Sequence, residues 1–224
     1  MNKAYVTVMF AFVMSVIGIG SAVEVGATPP AAYEGMRLYV SYCQLCHSPS
    51  GKGAGPLAKK MGIKPADLTT TVRSRSDTIL KKIITGKGRQ TITGRDRHNL
   101  ISRAMPEWEK VFDDTQIDAI IAYLRFLSRS NHTLMGDPEV GYKLYKKYCV
   151  VCHGEEGGGD GIMGQLLDIQ PTDHSNPNEM REIKNHQLIN IIRTGKGDYM
   201  PAWKNILTRD EMEALVSYIR LLSN

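Results

Sequence analysis

The sequence contains little cysteine, few aromatic residues and few long apolar runs. Only four of its 224 residues are cysteine, and aromatic residues make up 7% of the chain. Four cysteines are too few for a small scaffold held together by disulfide bonds. A hydrophobic content of 42% beside 23% charged residues describes a globular protein with a core of its own. The chain is long enough for one large domain or two small ones.

No apolar run after the N-terminal segment is long enough to cross a membrane. The N-terminal segment has an early Lys3, an apolar run of about 18 residues and the small-residue ending Val25-Gly26-Ala27. This arrangement predicts an export signal over residues 1–27 that is cleaved after Ala27. The alternative is an uncleaved anchor, because about 18 residues reach the lower limit for spanning a bilayer. In either case we expect a periplasmic protein, either soluble or anchored by this segment.

Positive charge is concentrated in the first half of the chain. Residues 28–135 carry 17 Lys or Arg and 9 Asp or Glu, whereas residues 136–224 carry 10 and 13. A basic surface could bind nucleic acid, but no stretch interleaves basic and aromatic residues, and an exported protein seldom meets nucleic acid. We therefore predict no nucleic-acid partner. Two interpretations stay open, a solvated basic face and a docking surface for an acidic protein.

Four segments of the first half recur in the same order in the second half. They are GMRLYVSYCQLCH (35–47), TGKGR (85–89), MPEW (105–108) and QIDAIIAYLRFLS (116–128), aligned with GYKLYKKYCVVCH (141–153), TGKGD (194–198), MPAW (200–203) and EMEALVSYIRLLS (211–223). Such a repeat indicates tandem duplication. We predict a first domain over residues 28–131 and a second over 132–224, each small for a stable core of its own.

Each half has the pattern of helices. The last repeated segment of each half places apolar residues at helical spacing, and no segment shows a convincing strand pattern. Capping residues predict where helices begin and end. The predicted starts are at Asp113 with Gln116, Thr208 with Glu211, and Asp137-Pro138, and the predicted ends are at Gly86 and Gly195. The sequence therefore predicts an all-α fold.

All four cysteines lie in two copies of Cys-x-x-Cys-His. The copies are Cys43-x-x-Cys46-His47 and Cys149-x-x-Cys152-His153. This is the attachment sequence of c-type haem. Two thiols about one helical turn apart can each form a thioether with a haem vinyl group, and the adjacent histidine can bind the iron. The sequence therefore predicts two covalently bound c-type haems.

Three alternatives explain this cysteine pattern less well. A thioredoxin-like redox pair should accompany a βαβ pattern, which is missing. A zinc site usually joins cysteine pairs that are tens of residues apart, and not about a hundred. Disulfides of such tight spacing would close short loops and contribute little stability. None of the three accounts for the repeated histidine.

Met105 and Met200 are the predicted second axial ligands of the two irons. Each begins a Met-Pro-x-Trp segment before the last helix of its half, and methionine is a common axial ligand in cytochromes c. The alternative ligands are Met61, Met135, Met163 and His98. If His98 replaced Met105, the first iron would have two nitrogen ligands and a lower reduction potential.

With these motifs, residues 31–224 resemble the class I cytochromes c, and in particular their two-haem, tandem-domain members. The resemblance implies an all-α fold of two tandem cytochrome c domains, each wrapped around its haem. In that family a Gly-x-x-x-aromatic pattern in the first helix packs on an aromatic residue of the last helix. The matching positions are Gly35 and Tyr39 with Tyr123, and Gly141 and Tyr145 with Tyr218.

The resemblance also assigns roles in the haem pockets. Trp108 and Trp203 match pocket residues of the family, and packing in the core is an equally good reason for both. The family's Gly-Pro-x-Leu motif is matched by Gly55-Pro56-Leu57, which implies that the Pro56 carbonyl accepts a hydrogen bond from His47. The second half departs from this motif, because Ile162 stands where the first half has Pro56.

The leading functional hypothesis is a two-haem electron carrier between protein redox partners, with no catalytic residue. Alternatives are a haem enzyme, such as a sulfur-compound dehydrogenase or peroxidase, and a cytochrome subunit of a membrane respiratory complex. We expect the basic first domain to dock an acidic partner. The segment RQTITGRDRHNLISRA, which the second half lacks, contributes Arg89, Arg95, Arg97 and Arg103 beside the Met105 loop.

Overall fold

A computed structural model describes residues 31–87 and 104–223 of the chain. The predicted export segment, His98 and the four arginines near Met105 lie outside the described residues. The helices of the first half are α1 (Ala31–Tyr42), α2 (Gln44–His47), α3 (Pro56–Met61), α4 (Leu68–Thr71), α5 (Asp77–Thr85) and α6 (Asp114–Arg129), with a 3-10 turn at Trp108–Lys110. Those of the second half are α7 (Pro138–Tyr148), α8 (Val150–His153), α9 (Ile162–Leu166), α10 (Pro177–Glu182), α11 (Asn185–Thr194) and α12 (Arg209–Leu222).

No strand occurs among these residues, and one isolated bridge joins Lys196 and Met200. The prediction of an all-α fold is confirmed. Within the same ranges, no helix is long and apolar enough to cross a membrane.

The predicted helix starts are confirmed by capping contacts. The Asp113 side chain accepts the Gln116 amide while the Gln116 side chain accepts the Asp113 amide, and Thr208 and Glu211 do the same at α12. Asp137 caps α7, with Pro138 in its first turn. Gly86 ends α5 in the left-handed conformation at φ +85°, whereas Gly195 ends α11 at φ +78° with an extended ψ. These contacts satisfy amides that helix ends leave without partners.

A glycine lets the first and last helices of each half touch through their backbones. A Cβ added to Gly35 would lie 1.8 Å from the Ala119 carbonyl oxygen, and one added to Gly141 would lie 2.0 Å from that of Ala214. One turn further along, the predicted aromatic pairs form, with ring centroids 5.2 Å apart for Tyr39 and Tyr123 and for Tyr145 and Tyr218. The helix crossing implied by the resemblance is therefore present twice.

In each half, an arginine of the last helix binds the segment that leads into the preceding helix, which is α5 in the first half and α11 in the second. Arg220 of α12 is 2% exposed, and its guanidinium donates to the Asn185 side chain at 2.9 Å and to the carbonyls of Met180 and Ile183. Arg125 of α6 makes the matching contacts in the first half, with the carbonyls of Val72 and Arg75 and the carboxylate of Asp77. Both guanidiniums thus donate to backbone carbonyls of a neighbouring segment.

The two halves touch through α1. Tyr33 stacks on Tyr142 at a centroid distance of 5.0 Å and meets Tyr218 edge-on at 5.4 Å. Its hydroxyl donates to the Glu139 carboxylate, which also lies 3.7 Å from the Arg37 guanidinium. The chain that joins the halves is held as well, because the backbone amides of residues 135 and 136 donate to the Ser217 hydroxyl at 2.8 and 3.0 Å. We name the contact of Tyr33 with the second half the inter-half contact.

Candidate functional site

Each Cys-x-x-Cys-His motif folds as a single helical turn after the first helix of its half. The His47 amide donates to the Cys43 carbonyl at 2.9 Å, and the His153 amide donates to the Cys149 carbonyl at 2.8 Å. The turn therefore places the two thiols and the histidine on one short stretch, as haem attachment requires. Burial raises the pKa of the Cys43 and Cys149 thiols to about 12.

The imidazole of each motif is anchored by a backbone carbonyl. His47 Nδ1 lies 3.3 Å from the Ala66 carbonyl oxygen, and His153 Nδ1 lies 3.2 Å from that of Thr172. A carbonyl can only accept, so Nδ1 carries the proton and Nε2 keeps a free lone pair for a metal. Burial lowers the pKa of both histidines, which favours this neutral form.

The expectation that the Pro56 carbonyl accepts this bond is wrong. Pro56 is exposed and begins α3, whereas Ala66 supplies the acceptor from the loop before α4. A backbone acceptor leaves no side-chain signature, but a second internal match could have revealed this loop. Residues 65–67 read Pro-Ala-Asp and residues 171–173 read Pro-Thr-Asp, at the same offset as the two histidines.

The second half contains an apolar cleft beside its haem-attachment turn. The cleft encloses about 670 Å³ of space when the open region at its mouth is included. The lining is mainly apolar, from α11, α12 and the loops beside them. Four of the predicted haem-site residues line this one cleft, namely Cys149, His153, Met200 and Trp203. The alternative ligands Met61 and Met135 are instead exposed.

The repeated TGKG segment holds the Met200 loop. The Lys196 amide donates to the Met200 carbonyl at 3.1 Å, and the Met200 amide donates back at 3.4 Å. A Cβ on Gly195 would lie 2.4 Å from the Met200 carbonyl oxygen, so only glycine allows this approach. In the first half, Gly86 lies against Glu107, two residues after the half-buried Met105. The motif therefore positions the segment that follows each predicted ligand.

The two predicted pocket tryptophans pack beside the cysteine turns. Trp108 meets Tyr42 edge-on at 5.8 Å, and Trp203 packs on Tyr148 at 5.0 Å between centroids. Each tyrosine directly precedes the first cysteine of its motif. Trp108 also stacks on Phe112 at 5.3 Å. The tryptophans thus connect each Met-Pro-x-Trp loop with the haem-attachment turn of the same half.

His174 is a site residue that the sequence interpretation missed. Its ring stacks on that of His153, with centroids 4.3 Å apart and planes inclined by 13°. The ring is buried, which together with His153 lowers the pKa of His174 to about 3, and its Nδ1 lies 3.4 Å from the Tyr145 hydroxyl. The repeat places Leu68 at the equivalent position of the first half. The two sites therefore differ beside one predicted ligand.

Known proteins resemble both halves of the chain. A sequence profile of the family described as cytochrome c oxidase, cbb3-type, subunit III matches residues 30–124 and 136–219. The cbb3-type cytochrome c oxidase subunit CcoP of Azospirillum brasilense is 26% identical over 200 residues, which cover 85% of this chain and 62% of that protein. The cbb3-type cytochrome c oxidase subunit FixP of Bradyrhizobium diazoefficiens is 28% identical over 117 residues, which cover 50% of this chain and 37% of that protein. The chain thus spans only part of the length of these relatives.

Two solved structures are also similar. The KustC0563 c-type cytochrome is 29% identical, with a TM-score of 0.33, and the match covers 36% of this chain and 93% of that one. A chain of the Kuenenia stuttgartiensis reducing HAO-like protein complex Kustc0457/Kustc0458 is 23% identical, with a TM-score of 0.36, and the match covers 85% and 96%. Both TM-scores are too low to support a further conclusion. Because the family profile matches both halves of the repeat and most of the chain, this protein belongs to the cbb3-type cytochrome c oxidase subunit III family, as a c-type cytochrome with two covalently bound haems.

Proposed function

We propose that this protein carries single electrons between respiratory redox partners outside the cytoplasm. The observation that carries the proposal is the shared lining of one apolar cleft by Cys149, His153, Met200 and Trp203. A buried site with a predicted residue for each axial position has no place for a substrate at the iron. The domain limits 28–131 and 132–224 are part of this proposal.

The proposed roles repeat in the two halves. Cys43 and Cys46, and likewise Cys149 and Cys152, form the thioethers. His47 with Met105, and His153 with Met200, are the axial ligands.

A bound haem supplies a one-electron iron couple, and the protein sets its environment. The carbonyls of Ala66 and Thr172 hold each imidazole in the tautomer that presents Nε2. Methionine ligation and burial both favour a high reduction potential. The TGKG and tryptophan contacts hold the Met200 loop, so Met200 would be kept in place to bind the iron and exclude water from it.

A cytochrome subunit of a membrane oxidase is the second candidate function, favoured by the family match. Both similar curated proteins are named as cbb3-type cytochrome c oxidase subunits. Under this candidate an uncleaved residue 1–27 segment would anchor the protein. N-terminal sequencing of the native protein separates the candidates, because a chain that begins at Thr28 has lost the segment.

The visible spectrum of the full-length protein, oxidised and reduced, tests the proposal. We expect two haems per chain, both low-spin, each with the weak far-red band of ferric iron bound to methionine sulfur. Met105→Ala and Met200→Ala should each remove about half of that band. Met61→Ala, at an exposed methionine, should remove none of it. A high-spin haem in the unmodified protein would contradict a simple carrier and favour an enzyme, and a haem with two nitrogen ligands would implicate His98.

A further inference from the structure

An exposed apolar face lies beside each haem-attachment turn. Gly161, which directly precedes α9, donates its amide to the Cys152 carbonyl at 3.1 Å, and Gly55 before α3 donates to the Cys46 carbonyl at 2.9 Å. Ile162 and Leu166 of α9 are 66% and 74% exposed, and a group of such side chains is more informative than a single one. We define the α9 face as Val151, Ile162, Leu166 and Leu167, all exposed. We define the α3 face as Leu45, Leu57 and Met61, also exposed.

The two faces have rims of opposite charge. Residues 44–66, around the α3 face, contain four lysines and no Asp or Glu, whereas residues 150–172, around the α9 face, contain four carboxylates and no Lys or Arg. All eight side chains are exposed. They are Lys52, Lys59, Lys60 and Lys64 at the α3 face, and Glu155, Glu156, Asp160 and Asp168 at the α9 face.

Within residues 31–87 and 104–223, most of these charges have no ion-pair partner. Among the described residues, only Glu155 of the eight forms a salt bridge, with Lys146. The acidic rim therefore keeps a negative charge that can attract a positively charged partner protein. The aliphatic side chains provide apolar surface from which a partner can exclude water. The two rims come from equivalent positions of the repeat. The opposite sign of their charges is therefore due to the residues in these segments and not to a difference in fold.

We propose that the α9 face docks a positively charged redox protein, so that the two domains of this carrier serve partners of opposite charge. The proposal rests on the proposed electron-carrier function. Charged rims act mainly on association rates and their salt dependence, while the apolar centre makes the close contact. The α3 face, which by the same argument takes an acidic partner, provides the internal comparison.

Gold electrodes coated with amine-terminated or carboxylate-terminated alkanethiol layers test this inference with surfaces of known charge. The adsorption rate of the full-length protein is measured with a quartz-crystal microbalance at low and at physiological salt, and the haem current is recorded separately. Three quadruple variants are compared. They are E155Q/E156Q/D160N/D168N at the α9 face, K52Q/K59Q/K60Q/K64Q at the α3 face, and E179Q/E182Q/D198N/D210N as a control on exposed carboxylates elsewhere in the second half.

At low salt, the α9 variant should adsorb about tenfold more slowly on the amine layer, and the difference should shrink as salt screens the charges. The control variant, with the same change in net charge, should change much less, and the α3 variant should lose adsorption only on the carboxylate layer. An equal loss in the control and α9 variants would overturn the proposal, because net charge alone would then explain adsorption. Sedimentation at low salt tests whether the protein associates with itself. Self-association that is lost in both the α3 and the α9 variant would also overturn the proposal, because a second copy of this chain would then occupy the α9 face.

The current distinguishes this inference from the proposed function. Charge-dependent adsorption without any haem current would contradict the carrier function and leave the assignment of the face intact. A normal current on both layers with no effect of the α9 variant would contradict only the face.

Discussion

Gly141→Ala is expected to destabilise the second half, although alanine is the better helix former. In an exposed helix interior the change would stabilise by about 1 kcal/mol. Here the new methyl carbon would lie 2.0 Å from the Ala214 carbonyl oxygen and 2.6 Å from its carbon. Normal contact needs about 3.5 Å, so α7 and α12 would have to separate by more than about 1 Å. A gap of that size removes a quarter to half of each dispersion contact along the crossing.

The net effect should be a loss of about 2 kcal/mol, because overpacking typically costs about 1–3 kcal/mol. For a chain of this size that corresponds to a fall of about 6 °C in the melting temperature. The measurement is thermal unfolding of the haem-loaded protein, followed by circular dichroism and haem absorbance. Gly164→Ala is the control, since the atoms nearest to its methyl group, in the Pro171 ring and the Ile169 carbonyl, would lie 3.1–3.4 Å away. A melting temperature for Gly141→Ala equal to or above that of the unmodified protein would refute the reasoning.

Two further substitutions should differ in how their effect on stability depends on pH. His174→Leu introduces the residue that the first half has at this position, Leu68. Burial lowers the pKa of His174 from 6.5 to about 3, so as the pH falls the imidazole is protonated in the unfolded chain before it is protonated in the folded protein. The unmodified protein therefore loses stability as the pH falls from 6.5 to 3. This loss is on the order of 4 kcal/mol, and denaturant unfolding should show a flatter acid limb for the leucine variant; parallel curves would contradict the assignment. Arg220→Met removes the donor of the Met180 and Ile183 carbonyls and should lower the free energy of unfolding in urea by about 3 kcal/mol. This loss should change little between pH 5 and 8, because burial lowers the pKa of Arg220 only to about 10. The same change at Arg125, which is less buried, should cost less, and equal losses would show that burial does not set the effect.

Features that depend on residue type at a fixed spacing were predictable from the sequence. The cysteine turns, the capping residues of α6 and α12, and the glycine crossings all require residue types with few substitutes. The repeat doubled each signal, because two matched positions are harder to attribute to chance than one. The family resemblance assigned Trp108 and Trp203 to the haem pockets, and both pack beside the attachment turns.

Features that depend on the backbone or on one half alone were not predictable. Any residue could supply the carbonyl that Ala66 and Thr172 present to the histidines, so the choice of Pro56 followed a motif and not a chemical requirement. His174 was missed because its half departs from the repeat there, and a lone histidine carries no spacing signal. The charge reversal between the α3 and α9 faces becomes visible only when exposure is known, since the lysines and carboxylates would otherwise count only toward net charge.

The inter-half contact has a consequence for how fast charge can move along the molecule. Tyr33 packs against Tyr142 and Tyr218 and donates to Glu139, so the two halves of one chain are in direct contact. Under the proposed carrier function, exchange of an electron between the two irons would be a first-order step within one molecule. Its rate would not depend on protein concentration, unlike any step in which two molecules must collide. One chain could therefore accept an electron in one half while its other half donates one.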